Sequence, residues 1–270
     1  MIEYFMFLMI VRDFSLANTL ECGQFFRFKK KGDSYLVQVR DIAFLAKQEG
    51  NKLHVKGAED SFVRNLFRLD EEFEPVKKAI LKDFHTRKAY LAYPGIRLMR
   101  QDPWECMVSY ICSQVSNIPK IQLSLENISR SFGKPFDFMG EKLYSFPEPG
   151  TLTCNKTLRE CKVGFRADYL QALNSEVKEG LLTELDTNYH DARQRLMQCK
   201  GIGEKVADCI LLFSKGYDEA FPIDVWIRRA MHSNYLKAPD NELRKYMAER
   251  FSGYAGYAQQ YLFMYTRLTS

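Results

Sequence analysis

Hydrophobic positions along this 270-residue chain change their period near residue 60. Before it, short runs of aromatic and β-branched residues alternate with turn residues. Phe25–Phe28, Tyr35–Val39 and Lys52–Val55 read as strands, because such side chains suit a pleated, half-buried surface. Lys31-Gly32-Asp33-Ser34 and Glu49-Gly50-Asn51-Lys52 supply the glycine and short polar residues of hairpin turns. Tyr4 to Val11 is apolar but only eight residues long, and Glu3 precedes it. It is too short for a membrane span and lacks the basic flank of a signal peptide, so it is expected as a buried strand.

From about Asp60 the spacing becomes helical: Phe62, Leu66, Phe67 and Leu69, then Phe73, Val76 and Ile80, then Phe84. Helical patterns dominate from there onward, broken at glycine and proline clusters. Asp102-Pro103-Trp104-Glu105 is a helix start, with a capping aspartate, a proline at the first position and a glutamate three residues on, as in a capping box. Cys106 to Cys112 is apolar nearly all round, which predicts a central buried helix. The expected class is α+β. An antiparallel β-rich N-terminal domain over 1–95 joins a mostly helical domain over 96–270, whose C-terminal helix packs back on the first domain. A groove between two such parts is a natural ligand site.

Composition changes this picture little. Hydrophobic residues make up 46% and charged residues 27%, as in an ordinary globular protein large enough to bury a core. The net charge of +5 suits a polyanionic partner without requiring one. The cysteines, Cys22, Cys106, Cys112, Cys154, Cys161, Cys199 and Cys209, are seven in number and irregularly spaced. They contain no CxxC pair or zinc pattern and read as reduced cytosolic thiols, placing the chain in the cytoplasm.

The chemistry concentrates in Leu196–Arg229. Met197–Ser214 reads as helix, tight turn, helix, with Gly201-Ile202-Gly203 at the turn. The two glycines permit positive φ and bring main-chain amides to the surface, where Lys200 adds charge, so the turn can hold a phosphate. A plain helical hairpin is the alternative. Lys205 begins the second helix, where the helix dipole and partial burial favour the neutral, nucleophilic amine. Asp224, in Phe221-Pro222-Ile223-Asp224, can cap the next helix or hold a carboxylate near that amine.

GIGEKVADC followed by FPIDVW resembles the helix-hairpin-helix/Gly-Pro-Asp superfamily of DNA glycosylases, and most closely its 8-oxoguanine DNA glycosylase/lyase family. Further segments carry the resemblance in the same order: Glu21–Arg27, Arg97–Cys106 with Ile111-Cys112-Ser113, Gly164–Tyr169 and Tyr254–Phe263. The resemblance implies excision of 8-oxoguanine from duplex DNA by base flipping, in base excision repair. Lys205 would attack the sugar C1′ and pass through a Schiff base to β-elimination. Asp224 would stabilise the cationic sugar and assist proton transfers.

For the base, the resemblance implies a Gly23 carbonyl that accepts N7–H, Cys209 and Phe263 sandwiching the ring, and Gln259 on the Watson–Crick edge. Lys200, Gly201, Gly203, Asn117, Lys120, Phe165 and Arg166 would contact DNA. A structural cation would be held by main-chain carbonyls around Cys199, Gly201 and Ile202, with no side-chain metal site. No cysteine cluster follows Cys209, which argues against the superfamily's iron–sulfur branch, so no iron–sulfur cluster is expected. The chain is expected to act as a monomer away from membranes. A non-catalytic hairpin DNA-binding protein, or a glycosylase for another damaged purine, is the competing reading.

The chain departs from the family pattern after Ser113. Gln114-Val115-Ser116-Asn117-Ile118-Pro119-Lys120 replaces a run of asparagines and an arginine. Val115 offers no side-chain hydrogen bond and Lys120 no bidentate one, so weaker discrimination of the opposite base is expected. Phe165 replaces a tyrosine wedge, and Trp226 replaces a histidine.

Overall fold

The computed structural model describes residues 6–269. Five antiparallel strands form a sheet in the order β1-β5-β4-β3-β2: β1 (Met6–Ile10), β2 (Phe28–Lys31), β3 (Ser34–Val39), β4 (Ile42–Glu49) and β5 (Lys52–Lys56). The pairs Lys31↔Ser34 and Glu49↔Lys52 close two-residue hairpins at Gly32-Asp33 and Gly50-Asn51. Gly32 and Gly50 have φ of +63° and +59°, which glycine adopts without steric cost. Phe25 to Arg27 lies outside the strands and leads into β2.

The N-terminal apolar run is an edge strand rather than a buried one. Phe7 and Met9 face inward, while Met6, Leu8 and Ile10 are exposed. Because both faces of this strand carry apolar residues, the alternation that distinguishes inside from outside is hidden. Tyr4 lies outside the described residues.

Helices follow: α1 (Leu16–Glu21), α2 (Asp60–Leu66), α3 (Glu74–Lys82), α4 (Phe84–Ala92), α5 (Pro103–Cys112), α6 (Ile118–Phe132) and α7 (Asn155–Leu158). After these come α8 (Ala167–Lys178), α9 (Leu181–Glu184), α10 (Tyr189–Met197), α11 (Glu204–Ile210), α12 (Val225–Asn234), α13 (Asp240–Phe251) and α14 (Ala255–Thr269). The helical run is interrupted by a second hairpin, β6 (Pro135–Phe138) with β7 (Glu141–Tyr144). Phe138 and Leu143 from this hairpin cover Leu36 and Ala43 on the five-stranded sheet. Alternation over the four residues of β6 is too short to stand out among helices.

Every residue of α5 from Trp104 to Cys112 is buried, and the largest apolar cluster forms around this helix. Asp102 caps it by accepting the Glu105 amide at 2.9 Å. Glu105 does not close a capping box. It is buried against Arg27 at 3.4 Å and accepts the Arg40 amide at 2.8 Å, which ties the sheet to the central helix.

The β-sheet cluster gathers Met9 through Phe67 with Met99. Residues from α3 and α4, including Val76, Ile80 and Tyr90, belong instead to the α5 cluster, beside Tyr257 and Tyr261 of α14. No helix among the described residues is long and apolar enough to cross a membrane.

Candidate active site

The turn before α11 has the predicted form, with one glycine essential to its shape. Gly201 has φ of +85°, and a Cβ there would lie 2.3 Å from Cγ of Tyr169. Gly203 has φ of −94°, so it needs no positive φ. It is exposed, and nothing lies within 4 Å of its missing Cβ, which leaves its amide open to close approach. Gln114 Nε2 donates to the Gly201 carbonyl at 2.9 Å, and the Ile202 amide donates to the Cys199 carbonyl at 3.1 Å. Two of the carbonyls expected around a cation therefore already accept hydrogen bonds from the protein's own donors.

Lys205 sits in the first turn of α11, half-buried, with Nζ 5.4 Å from the centre of the Tyr110 ring. Tyr110 stacks on Phe213 at 5.5 Å and donates its hydroxyl to the Gln24 carbonyl at 3.0 Å. On the hidden side of α11, Asp208 is fully buried. It accepts from Tyr189 Oη at 2.8 Å, Arg193 Nε at 2.6 Å and Arg244 Nε at 2.9 Å. Burial pushes the Cys209 thiol up to about 12, against the pull of nearby Lys205, so it stays protonated and presents an uncharged face. Asp224 caps α12 by accepting the Ile227 amide at 2.8 Å. The bland and the chemical roles of this aspartate are compatible, because one carboxylate oxygen fixes the side chain at the cavity wall.

Across from the lysine, Gly23 has φ of +87° in the loop after α1. Gln24, fully buried, holds that loop. Its Nε2 donates to the carbonyls of Thr19 and Arg97 at 3.0 and 2.8 Å, and its Oε1 accepts the Met99 amide at 2.8 Å. Gln260 of α14 donates to the Cys22 carbonyl at 2.9 Å, so the same helix that presents Gln259 and Phe263 also grips the Gly23 loop. The result is one cavity of about 570 Å³, lined by Gly23, Asn117, Lys205, Cys209, Asp224, Gln259 and Phe263, with Tyr110, Trp226 and Arg267 among its other walls. Gln24, Tyr110 and Arg267 were not singled out from the sequence. A buried amide or phenol inside an apolar stretch was the signal available for the first two.

The residues expected on DNA separate into two sets. Lys200, Gly203, Asn117, Lys120 and Phe165 are exposed, the last by 50%. Asn117 also caps α6 by accepting the Lys120 amide at 3.1 Å. Arg166 is only 5% exposed. Its guanidinium donates to the carbonyls of Gln114, Val115 and Val163, so it shapes the loop instead of standing free for phosphate. Val115, held this way, is 90% exposed at φ of +48°, a conformation unfavourable for a β-branched residue. Among the described residues no group of three or more His, Cys, Asp or Glu side chains could hold a metal ion.

The 8-oxoguanine DNA glycosylase N-terminal domain model matches residues 6–107. A probable N-glycosylase/DNA lyase of Methanothermobacter thermautotrophicus is 34% identical over 220 residues, 69% of this chain and 70% of that protein. Among solved structures, that of MBOgg1 with a low affinity DNA ligand superposes with a TM-score of 0.93 at 33% identity, covering 99% of both chains. The 8-oxoguanine glycosylase/lyase of Clostridium acetobutylicum, with duplex DNA carrying cytosine opposite 8-oxoguanine, gives 0.90 at 31% identity, covering 97% of this chain and 98% of that one. This chain belongs to the 8-oxoguanine DNA glycosylase family of N-glycosylase/DNA lyases.

Proposed function

We infer that this protein excises 8-oxoguanine from duplex DNA and then cleaves the strand at the resulting site. The observation that carries the site assignment is convergence. Gly23, Cys209, Gln259 and Phe263, drawn from both ends of the chain, line the cavity that also holds Lys205 and Asp224. A hairpin protein that only gripped the DNA backbone would need no such pocket.

In this reading the flipped base enters between the Cys209 thiol and the Phe263 ring. Lys205 Nζ bonds to C1′ as the bond from C1′ to the base breaks, and the base leaves with a proton. Asp224, fixed by its cap, opposes the positive charge that develops on the sugar. Opening of the sugar ring gives the lysine Schiff base. Loss of a C2′ proton then expels the 3′ phosphate, which cuts the strand. One copy acts on one flipped nucleotide, in the cytoplasm with the DNA, and no step passes through a metal ion.

Borohydride reduction in the presence of an 8-oxoguanine duplex should trap the protein covalently on DNA. Lys205→Gln should trap none, and normal trapping by that variant would refute the assignment. Comparable excision rates opposite C, A, G and T are expected from Val115 and Lys120. A strong preference for C would refute that part alone.

A further inference from the structure

Two residues that line the base cavity each carry a buried side-chain atom with no hydrogen-bond partner among the described residues: Gln259 at Oε1 and Arg267 at Nη1. Buried polar groups are ordinarily paired, so each such orphan calls for an explanation. Gln259, Phe263 and Arg267 lie four residues apart on α14 and therefore share one face of the helix. The ends of this stripe are about 12 Å apart along the axis. At one end is an unmet acceptor and at the other an unmet donor, with an aromatic ring between them.

Arg267 is firmly placed. Its Nη2 donates to the Glu21 carbonyl at 3.0 Å, and its guanidinium lies 5.2 Å from the Phe263 ring centre. Nη1 presses against Gly23 so closely that a Cβ there would meet it at 2.8 Å. Burial draws the guanidinium pKa down, but arginine remains charged at any working pH. The group is thus a fixed cationic donor beside the loop whose Gly23 carbonyl is assigned to N7–H.

8-Oxoguanine complements this order. Its N1–H and 2-amino group are donors at the Watson–Crick end, suited to Gln259 Oε1. At the imidazole end, N7–H is followed immediately by the C8 carbonyl, an acceptor. We propose that Arg267 is a specificity-determining residue that donates from Nη1 to the C8 oxygen of the flipped base. This rests on the reading that the cavity takes 8-oxoguanine. It adds to N7–H a second point at which the lesion differs from guanine, since guanine has neither group.

The test is single-turnover excision of 8-oxoguanine, set beside cleavage of a preformed abasic site that carries no base. Arg267→Leu should slow excision roughly 10- to 100-fold, the effect of losing a charge-assisted hydrogen bond in a buried site, and leave abasic cleavage within about twofold. Arg267→Lys, which keeps one donor, should recover part of the loss. Equal losses on both substrates, or none on either, would overturn the proposal. In a Lys205→Gln background, Arg267→Leu should weaken binding of an 8-oxoguanine duplex but not of one bearing 8-aminoguanine, which presents a donor at C8. Equal weakening on both would move the contact away from the C8 oxygen and also overturn the proposal. Failure of the wild-type protein to excise 8-oxoguanine, with abasic cleavage intact, would instead defeat the substrate reading on which it rests.

Discussion

Two sides of the cavity are built by opposite means. On the lysine side, α11 is anchored from beneath by Asp208 with three donors, and Asp224 is fixed by capping α12. In the neighbouring segment from Ser113 to Asn117, which Gln114 ties to the hairpin, an apolar side chain projects at a strained φ, and the backbone is held by a guanidinium from another segment. In the proposed mechanism, bond making at C1′ needs a closely placed amine and carboxylate, and Asp208, the support beneath α11, is fully buried with three donors. The backbone at the apex is held by the Arg166 guanidinium, which leaves the exposed Val115 side chain replaceable.

Substitutions on the two sides should separate these roles. The largest effect is expected at Lys205→Gln, with strand cleavage reduced on the order of 10³-fold or more and an unchanged melting temperature. A comparable melting loss would mean that the lysine is also part of the scaffold. Next, Asp208→Ala leaves Arg193 and Arg244 without their shared buried anion, at a cost of about 3–5 kcal/mol in urea unfolding. A loss below about 1 kcal/mol would erase the contrast between the two sides. Arg166→Met keeps much of the volume but removes the donors, leaving main-chain carbonyls unpaired, and should cost about 1–3 kcal/mol. The smallest effect carries the opposite sign. Val115→Asn places a residue tolerant of positive φ at the apex and should stabilise the fold by about 1 kcal/mol, measured by the same unfolding curve. It should also raise the rate ratio for cytosine over adenine opposite the lesion.

Legibility in the sequence follows the range of the interactions. The hairpin turns at Gly32 and Gly50, the Asp102 cap and the turn at Gly201 depend on residues within a few positions, and each could be read directly. The β1 strand was misread as buried because Leu8 and Ile10 are as apolar as Met9, and only the sheet shows which of them face out. Glu105 sits at capping-box spacing, but its partners Arg27 and Arg40 lie more than sixty residues away. The base cavity is the extreme case. The Cys22 carbonyl and Gln260 Nε2 meet across 238 positions. Family resemblance supplied Gly23, Gln259 and Phe263, and it passed over Arg267, which no part of the quoted pattern contains.

The grip of α14 on the Gly23 loop bears on how the protein is made. A polypeptide translated only as far as α13 already contains Lys205 and Asp224, but not Gln259, Phe263 or the clasp from Gln260 to Cys22. On the proposed assignment, such an intermediate has the nucleophilic lysine without the complete base pocket. On that assignment, the order of synthesis places completion of the pocket after the lysine, and docking of α14 joins the two.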